Sequence, residues 1–274
     1  MNPRSLAPRT TRMSQTVWPC TIFNRYAKWM VVNKTRLSVV IAVVLSFIAS
    51  SAHAQSAGYL ADYNRLLGKY VTPNGVKYAE WKSNAADLQA LQGVVDGIAR
   101  ENVGGMGQKD QLAFYLNAYN AWILHEALGK YPTKSVKDAL FSFFTSKRIK
   151  VAGEQTSFKS LEDNTIRGKF GDPHVHFALN CASRSCPPLQ GEPFRGDKLD
   201  AQLEKLARAF VNSDRGVQMA QGSVSVSKIF DWYKDDFAKQ GGALDFINKR
   251  RTTPILKDAK LNYQEYNWAL NEAK

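Results

Sequence analysis

Apolar side chains at Tyr59, Leu60, Tyr63, Leu66, Leu67 and Tyr70 recur at the spacing of one helix face, which predicts a helix over residues 57–70. Thr72-Pro73-Asn74-Gly75 carries turn chemistry, and Val76-Lys77-Tyr78 behind it reads as short and extended. Ala85 to Arg100 is a second amphipathic pattern, ended by Gly104-Gly105. Asp110 to Leu128 is apolar on most sides, the mark of a central helix. Asn117 and Asn120 lie inside it, and buried amides need partners. They either hold loop carbonyls against the helix or support a catalytic group.

Further along, Arg148 to Val151 and Thr156 to Phe158 flank Ala-Gly-Glu-Gln and predict a small hairpin. Leu161 to Arg167 predicts a short helix, Asp172-Pro173 a turn, and the alternating run His174 to Asn180 a strand. Asp197 is placed to cap a helix through Val211. Val217 to Met219 and Val224 to Val226 pair around Gln221-Gly222. Helices over Trp232 to Gln240 and Ala243 to Lys249 follow, and the aromatic tail Leu261 to Leu270 is expected to dock. Strands are short, paired and local. The expected class is α+β, a mostly helical single domain with short local β-hairpins.

The first 54 residues follow another pattern. Lys34 and Arg36 precede the apolar run Leu37 to Ile48, and Ala52-His53-Ala54 is a small-x-small site. That order is a cleavable secretory signal, with Gln55 as the mature N-terminus. The apolar run is shorter than the roughly 20 residues a bilayer span needs. No stable membrane insertion is expected after cleavage; an uncleaved anchor is the alternative. Residues 1–29 precede Met30, a methionine that would itself start the signal, and read as an extension ahead of the true start. The expected division is 1–54 as extension and signal and 55–274 as one α+β domain, periplasmic or secreted.

This division changes the charge picture. The whole chain is +13, but residues 1–54 hold seven basic residues and no acid, leaving 30 basic against 24 acidic and a net +6. Mild and dispersed charge is not a nucleic-acid footprint. The expected partner is a small or peptide-like substrate, with at most a slight preference for anions.

Candidate chemistry is concentrated in one run, His174-Val-His176-Phe-Ala-Leu-Asn-Cys181-Ala-Ser-Arg-Ser-Cys186-Pro187. It holds four of the five cysteines and histidines of residues 55–274. Four readings compete. Cys181 can be a nucleophile activated by an imidazole, with Arg184 adding positive charge and His176, His125 or His174 as base. On a continuous strand His176 and Cys181 face opposite ways, so that dyad needs the strand to end before the cysteine. His125 shares a helix with Asn117, which could orient it. In the second reading Cys181 and Cys186 form a disulfide, as export favours. In the third, His174, His176, Cys181 and Cys186 hold zinc, at a spacing outside the recurrent C-x-x-C patterns. In the fourth, His176 is a packed core histidine.

Three stretches together resemble the domain of unknown function family 547 (DUF547): Phe114-Tyr-Leu-Asn117-Ala-Tyr-Asn120-Ala, then Asp172 to Pro187, then Val226 to Phe237. Tyr266 to Asn271 resembles the family's C-terminal signature. The resemblance covers about residues 105–271. It implies that Asn117, Asn120, His176, Cys181, Cys186 and Pro187 fall on motif positions, and it implies no reaction. Members often carry a Glu-His pair where this chain has Glu162-Asp163; if that histidine is a base in relatives, this chain has lost it or uses Glu162 or Asp163 instead.

The leading expectation is an exported thiol-dependent hydrolase or acyl/amide transferase acting on a peptide or cell-envelope substrate. Its site residues are Cys181, His176, Asn117, Asn120 and Glu162, with no cofactor and no metal. The alternative is a non-catalytic binding or scaffold domain stapled by Cys181–Cys186, and behind it a structural zinc site.

Overall fold

The computed structural model describes residues 58–137, 144–220, 223–256 and 258–273. They lie in one compact unit, Ala54–Lys274. The signal and cleavage site expected over residues 30–54 lie outside the described residues.

Helix α1, residues 58–70, buries the stripe Tyr63, Leu66, Leu67 and Tyr70. A tight hairpin of Val71–Thr72 (β1) and Gly75–Val76 (β2) follows. Gly75 has φ 137°, and a side chain there would strike the backbone of Asn271, so the turn requires glycine. Tyr78 opens helix α2, Tyr78–Lys82, rather than ending a strand. The helical turn points Tyr78 and Trp81 the same way into the core, and Trp81 stacks on Tyr70 with ring centroids 4.5 Å apart.

Helix α3, Ala85–Arg100, is capped by Asn84, whose side chain accepts the Asp87 N–H. The Asp87 carboxylate takes bonds from Lys69, Tyr70 and Arg65, which hold it well below the usual carboxylate range. These bonds tie α1 to the start of α3.

Helix α4, Gln108–Lys130, is central, as its apolar circumference predicts. The hairpin of Ile149–Val151 (β3) and Glu154–Thr156 (β4) docks on the end of α3. There the N–H groups of Ala152 and Gly153 donate to the carbonyls of Ile98 and Ala99. Helix α5 joins Phe158–Ser160, a π-helical stretch Leu161–Arg167, and Gly168–Phe170 end to end.

The strand expected over residues 174–180 is instead a 3-10 turn, Pro173–Phe177. Pro173 sits at its first position, and the Asp172 side chain accepts the His174 N–H, a start signal for a helix and not a strand. Helix α6, Leu199–Val211, begins after a 3-10 turn Gly196–Lys198. Asp197 lies inside that turn and pairs with Arg195 instead of capping α6.

A three-stranded sheet has the order β5 (Val217–Ala220), β6 (Ser223–Val226), β7 (Leu261–Tyr263). The first pair is antiparallel with Val217 opposite Val226; β7 runs parallel to β6 with Leu261 opposite Val224. Helices α7 (Ile229–Trp232) and α8 (Lys234–Ala238) replace the one helix expected there, with a break at Tyr233. Helix α9 is Ala243–Asn248. Among the described residues no helix is long and apolar enough to cross a membrane.

Two apolar clusters result. One is built from α1 to α5 and includes Leu116, Tyr119, Phe158 and Val175. The other is rich in phenylalanine: Phe177, Phe210, Phe230, Phe237 and Phe246. Val175 belongs to the first and Phe177 to the second, so the histidine–cysteine run is the seam between them. The tail closes the seam. Leu270 bridges to Ser183, Ala269 to Ser135, and Glu272 to Val76.

Candidate functional site

The cysteine loop is positioned by amides. Asn117 and Asn120 lie one turn apart on α4 and both are buried. Asn117 clamps Phe194, donating to its carbonyl at 2.9 Å and accepting its N–H at 2.8 Å. Asn120 donates to the Ala178 carbonyl at 2.8 Å and accepts the Asn180 N–H at 2.9 Å. Asn180 passes the order on. Its side chain donates to the Pro187 carbonyl and accepts from the Ala182 N–H and from Asn271. Asn271 in turn accepts from the Tyr78 hydroxyl. The network spans both ends of the loop, from Ala178 to Pro187. It also holds Ala182 at φ 63°, a left-handed conformation costly for a residue with a Cβ.

Cys181 and Cys186 form a disulfide, with alpha carbons 6.2 Å apart. Their sulfurs are ringed by donors. Cys186 Sγ accepts the Cys181 N–H at 3.0 Å and lies 3.1 Å from the Tyr266 hydroxyl; Cys181 Sγ lies 3.2 Å from Ser183 Oγ.

The facing wall is held by charge. His176 Nε2 lies 2.8 Å from Asp236, whose same oxygen accepts from Arg167 at 2.7 Å. The His176 side chain is 1% exposed and stacks on Tyr233 at 4.0 Å. The bond from His176, followed by that from Arg167, holds the Asp236 carboxyl well below its ordinary range despite partial burial. Arg167 also pairs with Asp163 and lies over the Tyr233 ring. The π-helical stretch carries Glu162, Asp163 and Arg167 together, a wide turn that recurs at functional sites. Glu162 accepts from the Tyr233 hydroxyl at 2.6 Å and the Tyr119 hydroxyl at 3.4 Å.

Between the two walls lies a cavity of about 500 Å³. The disulfide, His176 and Glu162 all line it. So do Leu179, Ile229 and Trp232, with Tyr266 and Trp268 from the tail. Trp232, Tyr266 and Trp268 pack on one another, the closest pair at 4.5 Å. Burial raises Tyr119 and Tyr233 far above the ordinary phenol range and pushes Tyr266 up to about 12. All three hydroxyls therefore remain donors at neutral pH.

The sequence-derived site residues thus separate. Cys181, His176 and Glu162 meet at the cavity. Asn117 and Asn120 spend their hydrogen bonds on backbone beneath it. His125 is elsewhere, with Nε2 on Gln92 of α3, so Asn117 does not orient it. His174 bonds Asp172 and Arg250. With both sulfurs in the bridge and the two histidines on different partners, the proposed zinc set is not assembled. Arg184 runs to the tail, where it donates to the Glu272 carbonyl.

Asp236, Tyr233, Trp232, Tyr266 and Trp268 did not emerge as site residues from spacing alone. The signal lay in the stretches Val226 to Phe237 and Tyr266 to Asn271, whose resemblance pointed to them without assigning a role.

Comparison with known proteins adds one match. The model of a family described as protein of unknown function, DUF547, covers residues 103–211. It takes in the asparagine helix and the cysteine loop and stops before the aromatic wall. No curated protein and no solved structure matches the chain.

Proposed function

We propose the function from the cavity itself, because the family whose model matches residues 103–211, DUF547, is described without a reaction. The protein is an exported binding domain that takes a small or peptide-like ligand between the disulfide wall and the carboxylate wall. One observation carries the reading. The cavity has ligand size, mostly aromatic and aliphatic walls, and a few convergent polar groups, His176 and Glu162 among them. Export is part of the proposal. The pattern over residues 30–54 supports it, and a bridged Cys181–Cys186 suits an oxidising compartment.

The test uses a neutral apolar dye, Nile red, with the mature oxidised protein. We expect saturable binding and quenching of tryptophan fluorescence, since Trp232 and Trp268 line the cavity. Leu179→Phe adds bulk to the wall and should weaken binding at least tenfold while the thermal midpoint holds. Equal binding by both proteins would remove the cavity from the proposal.

A second reading, a thiol-dependent hydrolase or acyl/amide transferase, is favoured by the His176–Asp236 pair lining the same cavity as Cys181. It requires a reduced Cys181, since a bridged sulfur is no nucleophile. Intact mass and iodoacetamide labelling without reductant decide between the two. The binding reading expects a mass lower by two hydrogens and no labelling. A free Cys181 that alkylates rapidly at neutral pH would establish the thiol reading in its place.

A further inference from the structure

Among the described residues, Glu162 is the cavity carboxylate that no cation neutralises. Asp163, beside it, is paired with Lys159 and Arg167. Arg167 is further engaged by Asp236. Lys137 stands exposed at the rim, and among the described residues no ion pair joins it or any other cation to Glu162. What Glu162 has instead are two phenol donors, Tyr233 and Tyr119. A carboxylate has about four lone-pair positions, so two remain for a ligand.

The surroundings narrow what that ligand is. A neutral apolar ligand gains the apolar walls but gives the carboxylate nothing for the water it displaces. An anion would meet it in a low-dielectric space and be repelled. A cation gains the charge-assisted hydrogen bond. It also gains the negative faces of nearby rings, Tyr266 with Trp232 and Trp268. The Glu162 charge is felt at Tyr119, Tyr233 and Tyr266 alike, so the carboxylate and these rings share one space.

We propose that Glu162 is the recognition group for an organic ammonium carried on an apolar or aromatic body, bound against the aromatic wall with the disulfide as its far boundary. This rests on the binding reading above and names its ligand class. It reverses the slight preference for anions expected from net charge, because a local carboxylate outweighs dispersed surface lysines. The ammonium can come from a free amine or from a peptide N-terminus.

The experiment titrates mature oxidised protein by tryptophan fluorescence with phenethylamine and its neutral counterpart 2-phenylethanol. A second pair is the dipeptide Phe-Ala with a free amine and the same dipeptide N-acetylated. We expect phenethylamine to bind at least tenfold tighter than the alcohol. The same preference between the dipeptides marks a peptide N-terminus as the source; its absence there marks a small free amine. Glu162→Gln should bring the amine-to-alcohol ratio near one, chiefly by weakening the amine. Tyr233→Phe keeps the charge while removing a donor and should keep most of the preference. Equal affinities for amine and alcohol in the unaltered protein overturn the proposal and leave the cavity reading intact. So does a preference that survives Glu162→Gln. Failure of every probe to bind overturns both.

Discussion

The two walls of the cavity are built by different physics. The disulfide wall hangs on neutral amides, Asn120, Asn180 and Asn271, each bonded to backbone or to another amide. The opposite wall hangs on charge, through Arg167, Asp236 and Asp163, with His176 hydrogen-bonded to Asp236. The amide network has no titrating member in the physiological range, and its cost of disruption is that of buried unpaired backbone. The charged wall answers to pH and partly to salt. The cysteine loop therefore reads as scaffold, and the wall facing it as the responsive surface.

The largest effect should come from the amide side. Asn120→Ala leaves the Ala178 carbonyl and the Asn180 N–H without their partner inside the core. Two such losses cost about 3 kcal/mol together. Urea unfolding at neutral pH should show this as a lower midpoint with little change in slope. A loss below about 1 kcal/mol would mean that water or a neighbouring amide substitutes, and the contrast between the walls would weaken.

Next is the bridge. Opening Cys181–Cys186 frees a short loop, for which chain entropy gives about 2 kcal/mol. Because the amides already fix the loop at both ends, reduced protein should stay folded and keep most of its stability. Differential scanning calorimetry with and without reductant measures this. Cooperative unfolding on reduction alone would show that the bridge, not the asparagines, holds the wall.

The amide wall was legible in the sequence; of the charged wall only His176 and Glu162 were. Asn117 and Asn120 stood out because polar residues inside an otherwise apolar helix must be bonded, and both are. Cys181 and Cys186 stood out by rarity. His174 to Asn180 misled, because alternating polar and apolar residues mimic a strand where Pro173 and Asp172 start a 3-10 turn. Glu162, Asp236 and Tyr266 come from three separated elements. Their meeting depends on how α5, α8 and the tail pack around the seam, which no local period encodes. The hairpin around Gln221-Gly222 was placed well because turn chemistry is local, whereas the second strand expected over Thr156 to Phe158 lies at Glu154–Thr156, because Ser157 caps a helix that Phe158 opens.

Asp236→Asn tests the charged wall through pH. The folded carboxyl is held below its unfolded value near 4, chiefly by His176 and then Arg167. Its stabilisation is therefore complete above about pH 4 and is lost as pH falls toward the lower folded value. Asp236 is about a quarter exposed, so we expect a cost of about 1–2 kcal/mol at neutral pH after screening. The gap between variant and unaltered protein should narrow below about pH 4. Asp87 shares the acid limb, since its carboxyl is also depressed by Lys69, Tyr70 and Arg65. It is present in both proteins, and the difference between them isolates Asp236. A gap constant from pH 2 to pH 7 would assign Asp236 to packing rather than charge.

The smallest effect on stability belongs to Glu162→Gln. The glutamine carbonyl can still accept from the Tyr233 hydroxyl, and no cation loses a partner, because none is paired to Glu162 among the described residues. The expected change is within about 0.5 kcal/mol, the range of substitutions that break no buried network. This near-silence is informative beside Asp236 on the same wall. A carboxylate that supports the fold is bound to a cation and is missed when removed. A carboxylate left with phenols alone contributes little to the folded state, and its retained charge is available to a ligand. Should Glu162→Gln cost as much as Asp236→Asn, the distinction fails, and Glu162 belongs to the framework with the rest of its wall.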